Sequence, residues 1–314
     1  MTPTFCHLRI HTEYSLVDGI VRIKPLLRAA AEAGMPAVAL TDQCNLFALV
    51  KFYGAAQSAG VKPIIGVDLW VEDETDDPTR EGPGQPTRLL LLCKDEAGYR
   101  HLTELVSRSY IENQHGGLPM IKKEWLTAES TRGLIALSGG REGEVGRAIL
   151  DGKRDAAAEL LTEWIRLFGD NFYLELMRTG RDGEEDYLHG AIELATAMGV
   201  PVVATNDVRF LDKADYESHE VRVCIHEGRT LDDPRRLRRY SEQQYLRSPK
   251  EMAELFSDIP EALENSVEIA KRCNLELKLG TYHLPDFPIP EGMTMDEYFR
   301  RISMEGLENR LKTL

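Results

Sequence analysis

Residues 7–19, His-Leu-Arg-Ile-His-Thr-Glu-Tyr-Ser-Leu-Val-Asp-Gly, bring together side chains with the chemistry to hold a metal ion. Side chains on a strand alternate between its two sides, so positions 9 and 11 face the same way. Two imidazoles so placed suit Zn²⁺, Mn²⁺ or Fe. Here the pair is Arg9 and His11. A guanidinium has donors only and a permanent positive charge, so it cannot ligate a cation.

The elements that must position these residues follow from apolar runs. Strand candidates are 7–10, 37–40, 63–67, 89–93, 134–137, 172–176 and 202–205. They lack clean alternation, as expected of strands covered on both faces. Helical patterns at 25–33, 46–59, 96–110 and 184–198 lie between them, three of them followed by glycine. Strand–helix units in series predict a parallel sheet, closed or doubly wound. No GxGxxG follows the first strand, which argues against dinucleotide binding. In a parallel barrel the chemistry collects where strands end. Those ends carry His11, Asp42 with Gln43, Asp68, Lys94–Asp95, Ser138-Gly139-Gly140, Arg178–Thr179 and Asn206-Asp207-Val208-Arg209.

The chain of 314 residues carries a net charge of −14, a poor composition for the main grip on a nucleic-acid backbone. Its five cysteines never occur in CxxC spacing, which favours reduced thiols packed as small hydrophobes in the cytoplasm. Long apolar runs are missing, so no membrane span is expected. A basic loop holds Arg235, Arg236, Arg238 and Arg239, read as a solvated loop or as a contact for nucleic acid or another domain. Helices are expected near 250–257 and 260–273. After a linker rich in Pro and Gly, 293–314 reads as an amphipathic helix leading into a further domain.

The phrases HLRIHTEYSLVDG, GMPAVALTDQCNLFALVKFYGAAQSAGVKPIIG, LIALSGGREGEVG, FYLELMRTGR, VVATNDVRF and DIPEALENSVEIAKRCN stand in this order. Together they resemble the PHP (polymerase and histidinol phosphatase) family, in the form found at the N-terminus of bacterial DNA polymerase III alpha subunits. The resemblance implies an α/β fold, a distorted (β/α)7 TIM-like barrel over 1–275. Residues 276–314 then form a linker and the start of a polymerase palm region, whose Mg-binding carboxylates lie downstream. Active members of the family hold a trinuclear metal cluster and hydrolyse phosphoesters. Carried over by position, the first ligand pair falls on Arg9 and His11, and the next acidic ligand on Asp18. The histidine after Asp42 falls on Gln43, the glutamate after the third strand on Asp68, and a fourth-strand histidine on Arg88. The cysteine falls on Gly140, and the last Asp-x-His on Asp207 and Arg209. Imidazole, thiolate and carboxylate are what such a site needs, and Arg9, Arg88, Gly140 and Arg209 supply none of them.

The expectation is therefore a vestigial site with no metal, no cofactor and no catalytic residue. Arginines 9, 88 and 209 pair with Asp42, Asp68 and Asp207 and replace the ions. The competing expectation is that the surviving carboxylates hold Mg²⁺ or Mn²⁺. At the level of function, the reading is an inactive support and interaction domain of a replicative polymerase. Its expected partners are the proofreading exonuclease subunit, other polymerase III holoenzyme subunits, and DNA through the parent enzyme. The alternative is a metal-dependent phosphoesterase, either a 3′–5′ exonuclease or a small-molecule phosphatase. Cys44 reads as a packed thiol and His219 as a helix residue with a satisfied hydrogen bond. His101, His115, His189, His226 and His283 read as local or surface contacts. No His/Asp pair is spaced to activate Ser138.

Overall fold

A computed structural model describes residues 5–73, 84–282 and 284–313. His283 and Leu314 lie outside the described residues. The strands are β1 (Ala37–Leu40), β2 (Lys62–Val71), β3 (Thr87–Cys93), β4 (Gln114–His115), β5 (Leu118–Pro119), β6 (Leu134–Leu137), β7 (Phe172–Met177) and β8 (Val202–Thr205). The helices are α1 (Ile23–Glu32), α2 (Leu49–Ala59), α3 (Glu96–Glu112), α4 (Glu144–Leu150), α5 (Arg154–Phe168), α6 (Glu184–Met198), α7 (Tyr216–Glu227), α8 (Pro249–Leu255), α9 (Pro260–Arg272) and α10 (Met295–Thr313). Among the described residues, no helix is long and apolar enough to cross a membrane.

The main sheet runs β1-β2-β3-β6-β7-β8, and an extended segment closes it into a distorted barrel. His7 and Ile10 accept from the amides of Ala39 and Thr41 beside β1. On the other side Arg9 accepts from Val208 (3.1 Å) and His11 donates to it (2.9 Å), next to β8. The predicted α/β barrel is thus present, with one departure. β3 is antiparallel to both neighbours, pairing Gly66–Val71 with Leu92–Thr87 and Leu90–Cys93 with Leu137–Leu134. An antiparallel return needs no crossover helix, and residues 72–86, rich in Pro, Gly and acid, carry no helical pattern. The reversal removes Lys94–Asp95 from the site end. Asp95 instead caps α3 by accepting from Gly98 N (3.0 Å), and Lys94 donates to Asn171 (3.2 Å).

The barrel interior is graded along its axis. Residues of one parity run from apolar to charged: Ile64 to Asp68, Leu92 and Leu90 to Arg88, Tyr173 to Glu175, Val203 to Asp207. At the apolar end α9 seals the core with Val267, Ile269 and Ala270. Alternation in the closing segment breaks at Leu8–Arg9. Cys6 and Leu8 join the core, while Arg9 and His11 join the charges at the other end. Helices α4, α5 and α7 and the β4–β5 hairpin were not expected from the apolar runs, although Ala157, Leu161, Trp164 and Phe168 mark a buried helical face on α5. The described residues divide into two compact units, Met1–Glu276 and Leu277–Leu314. The second consists of extended chain and the fully exposed α10.

Candidate functional site

At the charged end of the barrel, buried acids and arginines meet. The Arg9 side chain has no solvent exposure and reaches three carboxylates: Asp68 (2.5 Å), Glu175 (2.8 Å) and Asp207 (3.0 Å). Arg88 also donates to Asp68 (2.9 Å) and stacks on its cross-strand partner Trp70, 3.9 Å from the ring centroid. Arg209 binds Asp207 (2.7 Å) and Asp18. Arg181 adds Glu184 (3.0 Å) and, at 3.5 Å, both Glu142 and Asp207.

His11 lies between Asp18 and Asp68, each 2.9 Å from one ring nitrogen. Arg209 also comes within 2.5 Å of the Nδ1 that faces Asp18. One nitrogen cannot donate to Asp18 and accept from Arg209. The arrangement is that of an imidazolium donating to both acids, with Arg209 crowded in because it shares Asp18. Burial and Arg209 push the imidazole pKa down, but Asp18 and Asp68 more than offset them, so it lies above its ordinary value.

The same competition sets the acids. Burial raises the Asp68 carboxyl, yet Arg88, Arg9 and His11 hold it down at about 2. Burial likewise opposes Asp18 and Asp207, and their guanidinium neighbours hold both well below the usual carboxylate range. Glu175 goes the other way, because burial outweighs Arg9 and the hydroxyl of Thr205.

The loop between the closing segment and α1 delivers Asp18. Gly19 lets that loop fold back, since a Cβ there would lie 2.2 Å from the carbonyl of Thr12. Asp207 has a left-handed backbone (φ 45°), held by Arg9, Arg209 and a 2.7 Å hydrogen bond from Gln244. Gly139 and Gly140 are both left-handed at the turn after β6. No Cβ is present at Gly140 to carry a ligand, and one built there would press on Met177 at 3.2 Å. Ser138 accepts from Glu175 N (3.0 Å), a backbone role. Gln43 forms an isolated bridge with Asp68 at the cavity edge.

One expected pairing is absent: Asp42 meets no arginine. It accepts from Thr12 N (2.6 Å), the Thr12 hydroxyl (2.9 and 2.8 Å) and the Ser15 hydroxyl (2.7 Å). Neutral donors suffice because the η-turn 13–15 brings those hydroxyls to it, and burial raises its pKa rather than lowering it. Glu175, Arg181, Gln244 and Tyr240 were missed. For Glu175 the available signal was a lone charge inside the apolar strand FYLELM. Tyr240 closes the mouth, donating to Asp18 (3.0 Å) with its ring 5.4 Å from the Arg209 guanidinium. His219, buried in α7, hydrogen-bonds the carbonyl of Asp18 (3.0 Å). The others make local contacts: His101 with Arg132 O, His115 with Asn113, His189 with Glu185 O.

This donor set does not fit the metal cluster that the family implies. The Arg9 guanidinium fills the space among Asp68, Glu175 and Asp207, and it brings positive charge where a cation would need lone pairs. Among the described residues, no group of three or more His, Cys, Asp or Glu is arranged to hold an ion.

Cys44 is buried with its sulfur toward the carbonyls of Asp68 and Pro119, and burial pushes its thiol up to about 12. Cys6 and Cys273 are similarly raised, to about 11 and 12. These three thiols are expected to resist a disulfide reagent at pH 8 in the native protein and to react at once in denaturant. Rapid native labelling of Cys44, read by peptide mass, would refute the packed-thiol assignment.

The PHP domain family profile matches residues 7–179. The chain is 57% identical over 314 residues to a DNA polymerase III subunit alpha from Pseudomonas aeruginosa, covering all of this chain and 26% of the relative. It is 51% identical over 313 residues to the Escherichia coli K12 protein of the same name, again 26% of the relative's length. The aligned part of these relatives is their N-terminal portion. A solved structure of an amidohydrolase from Chromobacterium violaceum aligns with a TM-score of 0.46 and 12% identity, over 69% of this chain and 96% of that one.

Proposed function

The chain belongs to the PHP family, and on that premise we propose that it is a non-catalytic support and docking domain of a replicative DNA polymerase alpha subunit. The observation that carries this reading is Arg9, seated among three carboxylates where hydrolytic members would place ions. Arg88, Arg209 and an imidazolium at His11 extend the replacement. The chain spans 26% of the length of the curated relatives it matches, which leaves the polymerising carboxylates and their Mg²⁺ to the rest of such a protein. A net charge of −14 suits a domain that braces its neighbours better than one that clamps DNA. Docking of the proofreading exonuclease subunit in the cytoplasm completes the proposal, since a nuclease on a second chain makes hydrolysis here dispensable.

The test combines elemental analysis of the purified chain with hydrolysis of a chromogenic phosphodiester in added Mn²⁺ or Zn²⁺. Sub-stoichiometric metal and no turnover are expected, together with co-sedimentation of the exonuclease subunit. Stoichiometric metal and a turnover abolished by Asp207→Asn would make the domain a phosphoesterase instead.

A further inference from the structure

The basic loop after α7 divides into tied and free arginines. Arg235 is held by Asp233 on its own loop (2.9 Å). Arg236 is drawn under the loop to Glu220 (2.6 Å) and Cys224. The loop is anchored again at its far end. Tyr216 donates to the carbonyl of Tyr240 (3.1 Å), and Ser241 donates to that of Thr179. Between these anchors Arg238 and Arg239 are exposed, with no hydrogen bond or ion pair among the described residues.

Both line a cleft of about 410 Å³ next to Tyr240, opposite a turn that contributes Arg141, Arg181 and Asp182. Arg181 is committed to Glu184, Glu142 and Asp207. Arg141 donates to the carbonyl of Asp182 and has no carboxylate partner among the described residues. Three guanidiniums without a counter-charge thus border one cleft, in a chain whose net charge is −14.

The geometry points to a phosphate-binding cleft formed by Arg141, Arg238 and Arg239, which takes a phosphate carried by a nucleotide or by a single strand of nucleic acid. Three separate donor forks are better matched by an anion with more than two acceptor oxygens than by a carboxylate, whose two oxygens satisfy one fork. The cleft is larger than one phosphate needs, and Leu237 offers an apolar wall for the attached group. The assignment rests on these charges alone and stands or falls independently of the support role.

Fluorescence anisotropy of the full chain with a labelled oligothymidylate at low salt tests it. Binding is expected, and the salt dependence of log K is expected to flatten by about two in R238A/R239A, one per lost phosphate contact. R235A, whose arginine is already paired, is expected to bind as the parent does. Both variants should keep the parent melting temperature, because the removed groups are exposed. Competition by thymidine monophosphate identifies the nucleotide as the source, and its failure to compete identifies the strand; either supports the cleft. Absence of binding, binding unchanged in R238A/R239A, or equally tight binding of polyglutamate would overturn it.

Discussion

Arg9→Ala is expected to cost about 3–5 kcal/mol of folding stability, the typical penalty for stripping one partner from a buried ion pair. Three acids lose a donor at once, and none of them gains access to water. Arg209→Ala is expected to behave similarly, since Asp18 and Asp207 both depend on it. Urea denaturation measures the loss. The exposed pair Arg100–Glu96 supplies the control, and Arg100→Ala should change little. Adding Glu175→Gln to Arg9→Ala should restore part of the loss, because one stranded charge is removed. Equal midpoints for Arg9→Ala and the parent would mean that the charges do not hold the barrel together.

His7→Gln is expected to flatten the acid limb of the stability curve. His7 is fully buried, packs edge-on against Phe5 with ring centroids 4.8 Å apart, and hydrogen-bonds Arg247 O through Nε2 (2.8 Å). Its Nδ1 has no partner among the described residues, so protonation would place a charge there unanswered. Burial lowers the imidazole pKa to about 4, from an ordinary value near 6.5. The unfolded chain therefore takes up the proton first as pH falls. The stability that His7 confers is complete above about 6.5 and is lost progressively down to about 4, roughly 3 kcal/mol in all. Glutamine keeps a donor for Arg247 O and does not titrate, so this limb should shrink in H7Q when unfolding is followed from pH 7 to 4. An unchanged limb would show that another group controls it.

Two other groups frame that window. Asp68, held at about 2, contributes above its unfolded pKa near 4 and loses its contribution as pH falls from there toward 2. His11 has the opposite sign. Its raised pKa makes its contribution complete below about 6.5 and lost as pH climbs through the folded value.

Much of the barrel was legible because strands covered on both faces are continuous apolar runs. Residues 37–40, 134–137, 172–177 and 202–205 announce themselves this way. The direction of a strand leaves no such mark, so β3 could not be seen to reverse, and Lys94–Asp95 were placed at the wrong end. Arg9, Arg88 and Arg209 could be gathered into one place from the sequence, but the choice of partners depends on distances no spacing fixes. Asp42 satisfied itself on neighbouring hydroxyls, while Glu175, alone in an apolar strand, took its place beside Arg9. Arg181 and Tyr240 arrive from segments whose spacing says nothing about the barrel mouth.

The sharing of one guanidinium among three acids also constrains descent. Restoring a histidine at position 9 by itself would withdraw donors from Asp68, Glu175 and Asp207 before any ion could compensate them. Every single step back toward hydrolysis leads through a less stable protein, so the change behaves as a ratchet. A lineage that has crossed it is free to modify its outer surfaces while the old chemistry stays out of reach.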